Sequence, residues 1–174
     1  MEKSEKLLKL IISNLDKKSN KKESSCIELK KNNTSSKIIA ENISGIANSC
    51  ILEDIEKGYI VFGVEDGTLE LVGVNFDPFN LKKDSSNSDL EMWLRQMILG
   101  VDFKFISFKS ENDLNFLIIE VSKALGRLAI FDKEAYIRIG KNTTKLSRFP
   151  DIEKNYGQKL IRALFGDFQL KLNY

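Results

Sequence analysis

The sequence contains no histidine, only two cysteines and only two prolines among its 174 residues. Without histidine, a Ser-His-Asp or Cys-His nucleophile, a helix-borne zinc protease motif and a histidine proton shuttle are all excluded. With Cys26 and Cys50 as the only thiols, a structural zinc site would need mostly carboxylates, which zinc seldom uses alone, so no zinc is expected. The lack of an apolar signal segment, together with so few cysteines, predicts a reduced, cytoplasmic protein in which both cysteines are plain buried thiols.

Long apolar runs are also lacking. No segment approaches the roughly 20 residues that a membrane-spanning helix needs, so we expect no contact with a membrane. The signature of a disordered chain is missing too, because 42% of the residues are hydrophobic and the net charge is only +2. A Walker-type phosphate loop is absent, since Gly140-Lys141-Asn142-Thr143 lacks the upstream glycine that the motif requires. The chain therefore reads as one folded domain without nucleotide hydrolysis of its own.

Charge is present in separate blocks. Residues 1–40 carry a net charge of +5, residues 41–121 carry −9 and residues 122–148 carry +5. The two basic segments could form one phosphate-binding face if the fold brings them together. The alternative, which stays open here, is that they are solvated surface or exposed basic loops. Five basic residues are candidates for binding phosphates: Lys21, Lys22, Arg138, Lys141 and Lys145. Tyr136 is a candidate for stacking on a base.

Apolar periodicity gives a mixed order of helices and strands. Helices are predicted over 2–18, from 34–36 through Ala47, from Leu90 to Ile98 and from Pro150 to Leu164. Strands are predicted at Cys26–Lys30, Tyr59–Val64, Phe103–Phe108, Leu114–Val121 and, as the last strand, Ala135–Ile139. Asp66-Gly67 predicts a hairpin whose return strand is Leu69–Val74. Hairpins without strict β-α-β alternation favour an α+β fold with a mixed, largely antiparallel sheet flanked by helices.

The same patterns predict how the chain is organised. Residues 1–20 are expected to form an N-terminal amphipathic helix, residues 21–165 the main domain, and residues 166–174 a tail or the stub of a linker. On the helix that begins at Leu90, the i, i+3, i+4 stripe predicts that Trp93 and Met97 belong to the core.

Three carboxylates stand out as candidate ligands of a cation. Glu28 and Lys30 are two residues apart on a predicted strand and therefore share a face. Glu23 precedes this strand, and Asp66 follows the apolar strand Tyr59–Val64. If the two strands are neighbours, the three carboxylates could hold Mg²⁺ or Mn²⁺ and activate a water against a phosphodiester. The alternatives are that Asp66 serves only its turn, Glu23 only solvent, and Glu28 with Lys30 only an ion pair.

Five short blocks of the sequence, taken in order, resemble a known family. The blocks are Lys22–Lys30, Ile46–Ser49, Gly58–Asp66, Leu90–Leu94 and Tyr136–Gly140. Their order and spacing are similar to those of the Schlafen AlbA-type domain over residues 23–160. The resemblance implies a single Schlafen/AlbA-like lobe of the prokaryotic kind. Members are commonly named DNA-binding or RNA-binding proteins or transcriptional regulators, often as the N-terminal part of a longer chain with an ATP-binding region.

The resemblance also implies roles for particular residues. The nuclease members of the family use three acidic residues, and their pattern matches Glu23, Glu28 and Asp66, with Lys30 beside them. One hypothesis is therefore a nucleic-acid-binding domain that cleaves structured RNA such as tRNA with Mg²⁺ or Mn²⁺, with RNA favoured over DNA. The alternative is a non-catalytic DNA-binding or regulatory module. Because animal Schlafens pair two lobes in one chain, a single lobe is expected to form a homodimer.

Overall fold

The structure, a computed structural model, describes residues 2–16, 25–32, 35–84, 86–124 and 126–165. Its main helices are α1 (Glu2–Asp16), α2 (Ser36–Glu53), α3 (Leu90–Met97) and α4 (Pro150–Phe165), with a 3₁₀ turn at Leu146–Arg148. Its strands are β1 (Ile27–Lys30), β2 (Lys57–Phe62), β3 (Ile98–Leu99), β4 (Phe103–Lys109), β5 (Asn115–Ser122), β6 (Ile130–Phe131), β7 (Glu134–Ile139) and β8 (Asn142–Lys145). The predicted α+β class is confirmed. The predicted tail over 166–174 lies outside the described residues.

The strands form two sheets where the sequence predicted one. The first sheet has the order β1-β2-β5-β4, with β1 parallel to β2 and the other pairs antiparallel. The second sheet, β3-β6-β7-β8, is antiparallel throughout.

Of the helices in the described ranges, none is both long and apolar enough to cross a bilayer.

The first sheet is covered on both faces, which explains why its central strands are almost wholly apolar. Along β2, Ile60 and Phe62 point to the larger core cluster, which includes the apolar side of α2. Val61 points the other way, into a smaller cluster with Leu8 and Ile11 of α1. Because successive strand residues face opposite sides, a strand buried on both faces needs consecutive apolar residues.

The segment after β2 turns back as predicted but does not form the return strand expected over Leu69–Val74. Only one isolated bridge, between Val64 and Leu71, is present there. Gly63 breaks the ladder, since its φ is +98° whereas an extended strand needs φ near −120°. A Cβ on Gly63 would also lie 2.8 Å from the ring of Phe116, so this bend requires glycine.

Two further predictions are wrong in detail. Ala135–Ile139 is not the last strand, because a turn at Gly140, with φ +61°, leads into β8. The polar sequence of β8, Asn-Thr-Thr-Lys, has no apolar alternation to reveal it, although a glycine beside a short polar pair is a hairpin signal. Met97 is not a core residue: it is 38% exposed, because α3 ends there and the chain leaves as β3.

Candidate nucleic-acid interface

The parallel pairing of β1 with β2 places the ends of both strands side by side. The amide of Gly63, just after β2, donates to the carbonyl of Lys30 at the end of β1 over 2.8 Å. The charged residues that follow each strand therefore lie at one end of the sheet. We call this region the strand-end surface and define it by Lys30, Lys31, Glu65, Asp66 and Lys141, the last contributed by the β7–β8 turn.

Glu28 lies beneath this surface between two cations. One carboxylate oxygen is 2.5 Å from Nζ of Lys30, the pairing expected for residues two apart on a strand. The other is 2.7 Å from Nη2 of Arg138. The side chain of Glu28 is 13% exposed and that of Arg138 only 1%, so this carboxylate belongs to a largely buried ion pair between β1 and β7.

Arg138 is fixed from several directions. Its Nη1 donates to the hydroxyl of Thr143, and its Nη2 donates to the carbonyls of Ile27 and Lys141, over 3.3 to 3.4 Å. Its backbone amide donates to the hydroxyl of Ser49 over 3.0 Å, and its buried Nε has no hydrogen-bond partner. Arg138 therefore positions Glu28 and the β7–β8 turn, and its predicted contact with a phosphate does not fit this burial.

The polar face of α2 holds β7 and the residue that precedes β6. Asn48 donates from its amide to the carbonyls of Ala129 and Tyr136 over 3.0 and 2.8 Å, and accepts from the amide of Ala129 over 2.8 Å. The hydroxyl of Ser44 donates to the carbonyl of Ala129 and accepts from the amide of Tyr136. These side chains satisfy backbone groups that would otherwise be buried without partners.

The exposed charges of the strand-end surface form two pairs. Lys141 lies 2.9 Å from Asp66, with side chains 69% and 59% exposed. Lys31 lies 2.7 Å from Glu65, with side chains 56% and 40% exposed. The hydrogen bond and charge of Glu65 raise the pKa of Lys31 above its usual value, so this lysine is cationic at neutral pH. Sequence reasoning missed Lys31 and Glu65, although each is the immediate neighbour of a predicted site residue.

The remaining predicted site residues lie outside the strand-end surface or outside the described residues. Lys145 is paired with Glu134 at 3.1 Å. Tyr136 is 7% exposed and its hydroxyl donates to Glu41 over 3.2 Å; burial, then the charge of Glu41, raises its pKa to about 12. Stacking of Tyr136 on a base does not fit this burial. Three predicted site residues, Lys21, Lys22 and Glu23, lie outside the described residues.

Two of the three carboxylates predicted to hold Mg²⁺ or Mn²⁺, Glu28 and Asp66, lie among the described residues. Glu28 already faces two cations and Asp66 faces a third. In the part of the chain that the structure describes, no three acidic or cysteine side chains lie close enough together to hold a metal ion. A metal ion held by Glu28 and Asp66 would have to displace these cationic partners.

The two cysteines lie away from this surface. Both are free and buried, as predicted. The thiol of Cys50 has its pKa raised by its hydrogen bond with Cys26 and by burial, which makes it a poor nucleophile at neutral pH.

The fold is that of an α+β domain with charged side chains gathered where β1 and β2 end. The family model described as Schlafen, AlbA_2 matches residues 23–147, and the chain belongs to this family. Among solved structures, the DIP2311 protein from Corynebacterium diphtheriae matches with 14% identity and a TM-score of 0.48. The match covers 70% of this chain and 25% of that one. No curated protein sequence matches.

Proposed function

We propose that this domain binds nucleic acid, with RNA favoured over DNA, through the strand-end surface. The observation that carries the proposal is that Lys31 and Lys141 are both more than half exposed and lie beside the same turn after β2. Ion pairs between exposed side chains are weak in water, so both ammonium groups can exchange their carboxylate partners for phosphates. Lys30, which is 21% exposed and pairs with Glu28, adds a third positive charge to this surface.

Binding of this kind depends on salt, because each phosphate neutralised by a lysine releases counterions. With two or three lysines involved, the logarithm of the affinity for single-stranded RNA should fall with the logarithm of salt concentration, with a slope of about −1.4 to −2.1. We would incubate the purified protein with labelled transfer RNA, single-stranded RNA and duplex DNA over a KCl series in chelator. Affinity that falls with salt supports the proposal, and affinity that is absent or indifferent to salt contradicts it.

Cleavage is the finer form of the proposal. It requires Glu23, Glu28 and Asp66 to hold Mg²⁺ or Mn²⁺ and cut structured RNA such as tRNA, which implies that Glu28 and Asp66 release their present cationic partners. The same incubations with manganese, with magnesium and with chelator test it, beside Glu28→Gln. Cleavage that needs metal, and that is lost in a Glu28→Gln protein whose circular dichroism shows it to be folded, supports an endoribonuclease. Binding without cleavage under any of these conditions supports the alternative, a non-catalytic DNA-binding or regulatory module.

A homodimer is the second finer element of the proposal, since two lobes would extend the basic surface. Light scattering coupled to gel filtration, with and without RNA, tests it directly. A mass of twice 19.8 kDa supports the dimer and a monomer mass in both conditions contradicts it.

We also propose a cytoplasmic location, which two free, buried thiols support.

A further inference from the structure

The turn that follows β2 places two consecutive carboxylates on the two most exposed lysines of the strand-end surface. Glu65 pairs with Lys31 and Asp66 pairs with Lys141. The lysines come from different parts of the chain, one after β1 and one from the β7–β8 turn. One short acidic turn therefore neutralises both positive charges that a phosphate backbone would meet first.

Both ion pairs can separate at little cost in free energy. Each of the four side chains is at least 40% exposed, so water can solvate either partner as the pair opens. The pair beneath them is different, because Arg138 is 1% exposed and Glu28 13%, and separating it would leave a buried charge. The strand-end surface thus has two exposed ion pairs that separate easily and, beneath them, a buried pair that is costly to separate.

We propose that Glu65 and Asp66 act as a built-in anionic competitor, which occupies Lys31 and Lys141 until a polyanion displaces both carboxylates. A single phosphate can replace only one carboxylate, whereas consecutive phosphates of a strand can replace both. The turn therefore lowers affinity for all anions and favours chains of phosphates over isolated ones. This inference rests on the proposed function, and it gives Asp66 an electrostatic role that needs no metal ion.

The test compares the wild-type protein with Asp66→Asn in chelator, using labelled single-stranded RNA and a KCl series. Asp66→Asn removes the competitor of Lys141 and should tighten binding about two- to fivefold, the strength of one exposed ion pair. The salt slope should change little, because the strand already contacts Lys141 in the wild-type complex and the number of phosphate contacts stays the same. Asp66→Asn combined with Lys141→Gln should lower the affinity to the wild-type value or below it, and should reduce the magnitude of the salt slope by about 0.7, because one phosphate contact is lost.

The matched control is Glu120→Gln. Glu120 pairs with Lys57 at 2.7 Å, and Lys57 is 53% exposed. Lys57 begins β2, so this pair lies at the opposite end of the strand from Glu65. Glu120→Gln changes the net charge by the same amount as Asp66→Asn. Because this pair lies away from the strand-end surface, the variant should leave RNA affinity almost unchanged. An equal gain in the two variants would reduce the effect to net charge and overturn the inference.

The remaining outcomes separate this inference from the proposed function. If the wild-type protein binds RNA and Asp66→Asn binds no better, the competitor role is wrong and the binding function stands. If neither protein binds any nucleic acid, the proposed function fails and the inference fails with it. Competition with inorganic phosphate gives a second readout: millimolar phosphate should displace RNA more readily from Asp66→Asn than from the wild type.

Discussion

The guanidinium of Arg138 lies 2.7 Å from the carboxylate of Glu28 and joins the two sheets of the domain through a buried charge pair. Glu28 is on β1 of the first sheet and Arg138 on β7 of the second. Since Nε of Arg138 has no partner, Glu28 supplies the main compensation for a buried positive charge. Glu28 is therefore a structural residue as well as a candidate site residue.

Replacing Glu28 should destabilise the protein whether or not it acts in catalysis. Glu28→Leu leaves Arg138 buried without its counter-charge, which lowers the free energy of unfolding by about 3 kcal/mol or more. Urea unfolding followed by circular dichroism measures this change. The control Glu65→Gln breaks an exposed pair and should change stability by less than about 0.5 kcal/mol. A similar, small effect of both variants would show that the buried pair does not join the sheets as described.

The contacts of α2 with β7 predict a second sensitive position. Asn48→Ala leaves two buried backbone carbonyls without a donor and one buried backbone amide without an acceptor. Each group left unsatisfied costs about 1–3 kcal/mol. We expect a loss of at least about 2 kcal/mol of unfolding free energy, measured by urea titration. Asn80→Ala, on an exposed asparagine, is the control. Equal stability of the two variants would contradict the role given to Asn48.

Two glycines provide a matched pair for testing the packing at the start of β2. A Cβ on Gly58 would lie 2.3 Å from Cγ2 of Ile46 and 2.5 Å from the carbonyl oxygen of Cys26. Around Gly67 nothing lies within 4 Å of such a Cβ. Gly58→Ala should therefore lower the melting temperature strongly or prevent folding, while Gly67→Ala should leave it nearly unchanged. Thermal melts of both variants decide the matter, and tolerance of Gly58→Ala would place α2 farther from β2 than the structure does.

Stability at high pH should depend on Tyr156. Burial raises the pKa of this phenol to about 12, above its ordinary value of 10.0, and its hydroxyl donates to the carbonyl of Arg127. Between these two values the folded state holds a proton that the unfolded state releases, so stability is full below pH 10 and falls as pH rises toward 12. The melting temperature of Tyr156→Phe should fall less steeply over this range than that of the wild type. Parallel curves for the two proteins would contradict this assignment.

The sequence predicted those parts of the fold that depend on apolar periodicity. The helix that begins at Leu90, the strands β2, β4 and β5, and the α+β class are all present, because their burial requires apolar residues at fixed spacings. The second sheet was missed, since β8 is polar and β3 and β6 are two residues each. Short strands of this kind are held by partners distant in the sequence, such as Asn48 on α2, and leave no local pattern.

For the site, the sequence predicted which charged residues stand at the strand ends but not how they are paired. The spacing of Glu28 and Lys30 indicated a shared face, and the structure pairs them. The partnership of Glu28 with Arg138 joins residues 110 positions apart, and the pairing of Asp66 with Lys141 joins residues 75 apart. Such contacts depend on α2 packing against both β2 and β7, which no pattern within one segment reveals.

The central claim is that the exposed lysines of the strand-end surface hold a phosphate backbone. The most direct measurement is the salt dependence of RNA binding by the variant Lys31→Gln with Lys141→Gln, compared with Lys57→Gln and with the wild type. We expect the double variant to bind RNA much more weakly than the wild type. The magnitude of its salt slope should fall by about 1.4, since two phosphate contacts are removed. Lys57→Gln should retain the wild-type slope. Equal slopes in all three proteins would contradict the claim and place the nucleic-acid contacts elsewhere on the domain.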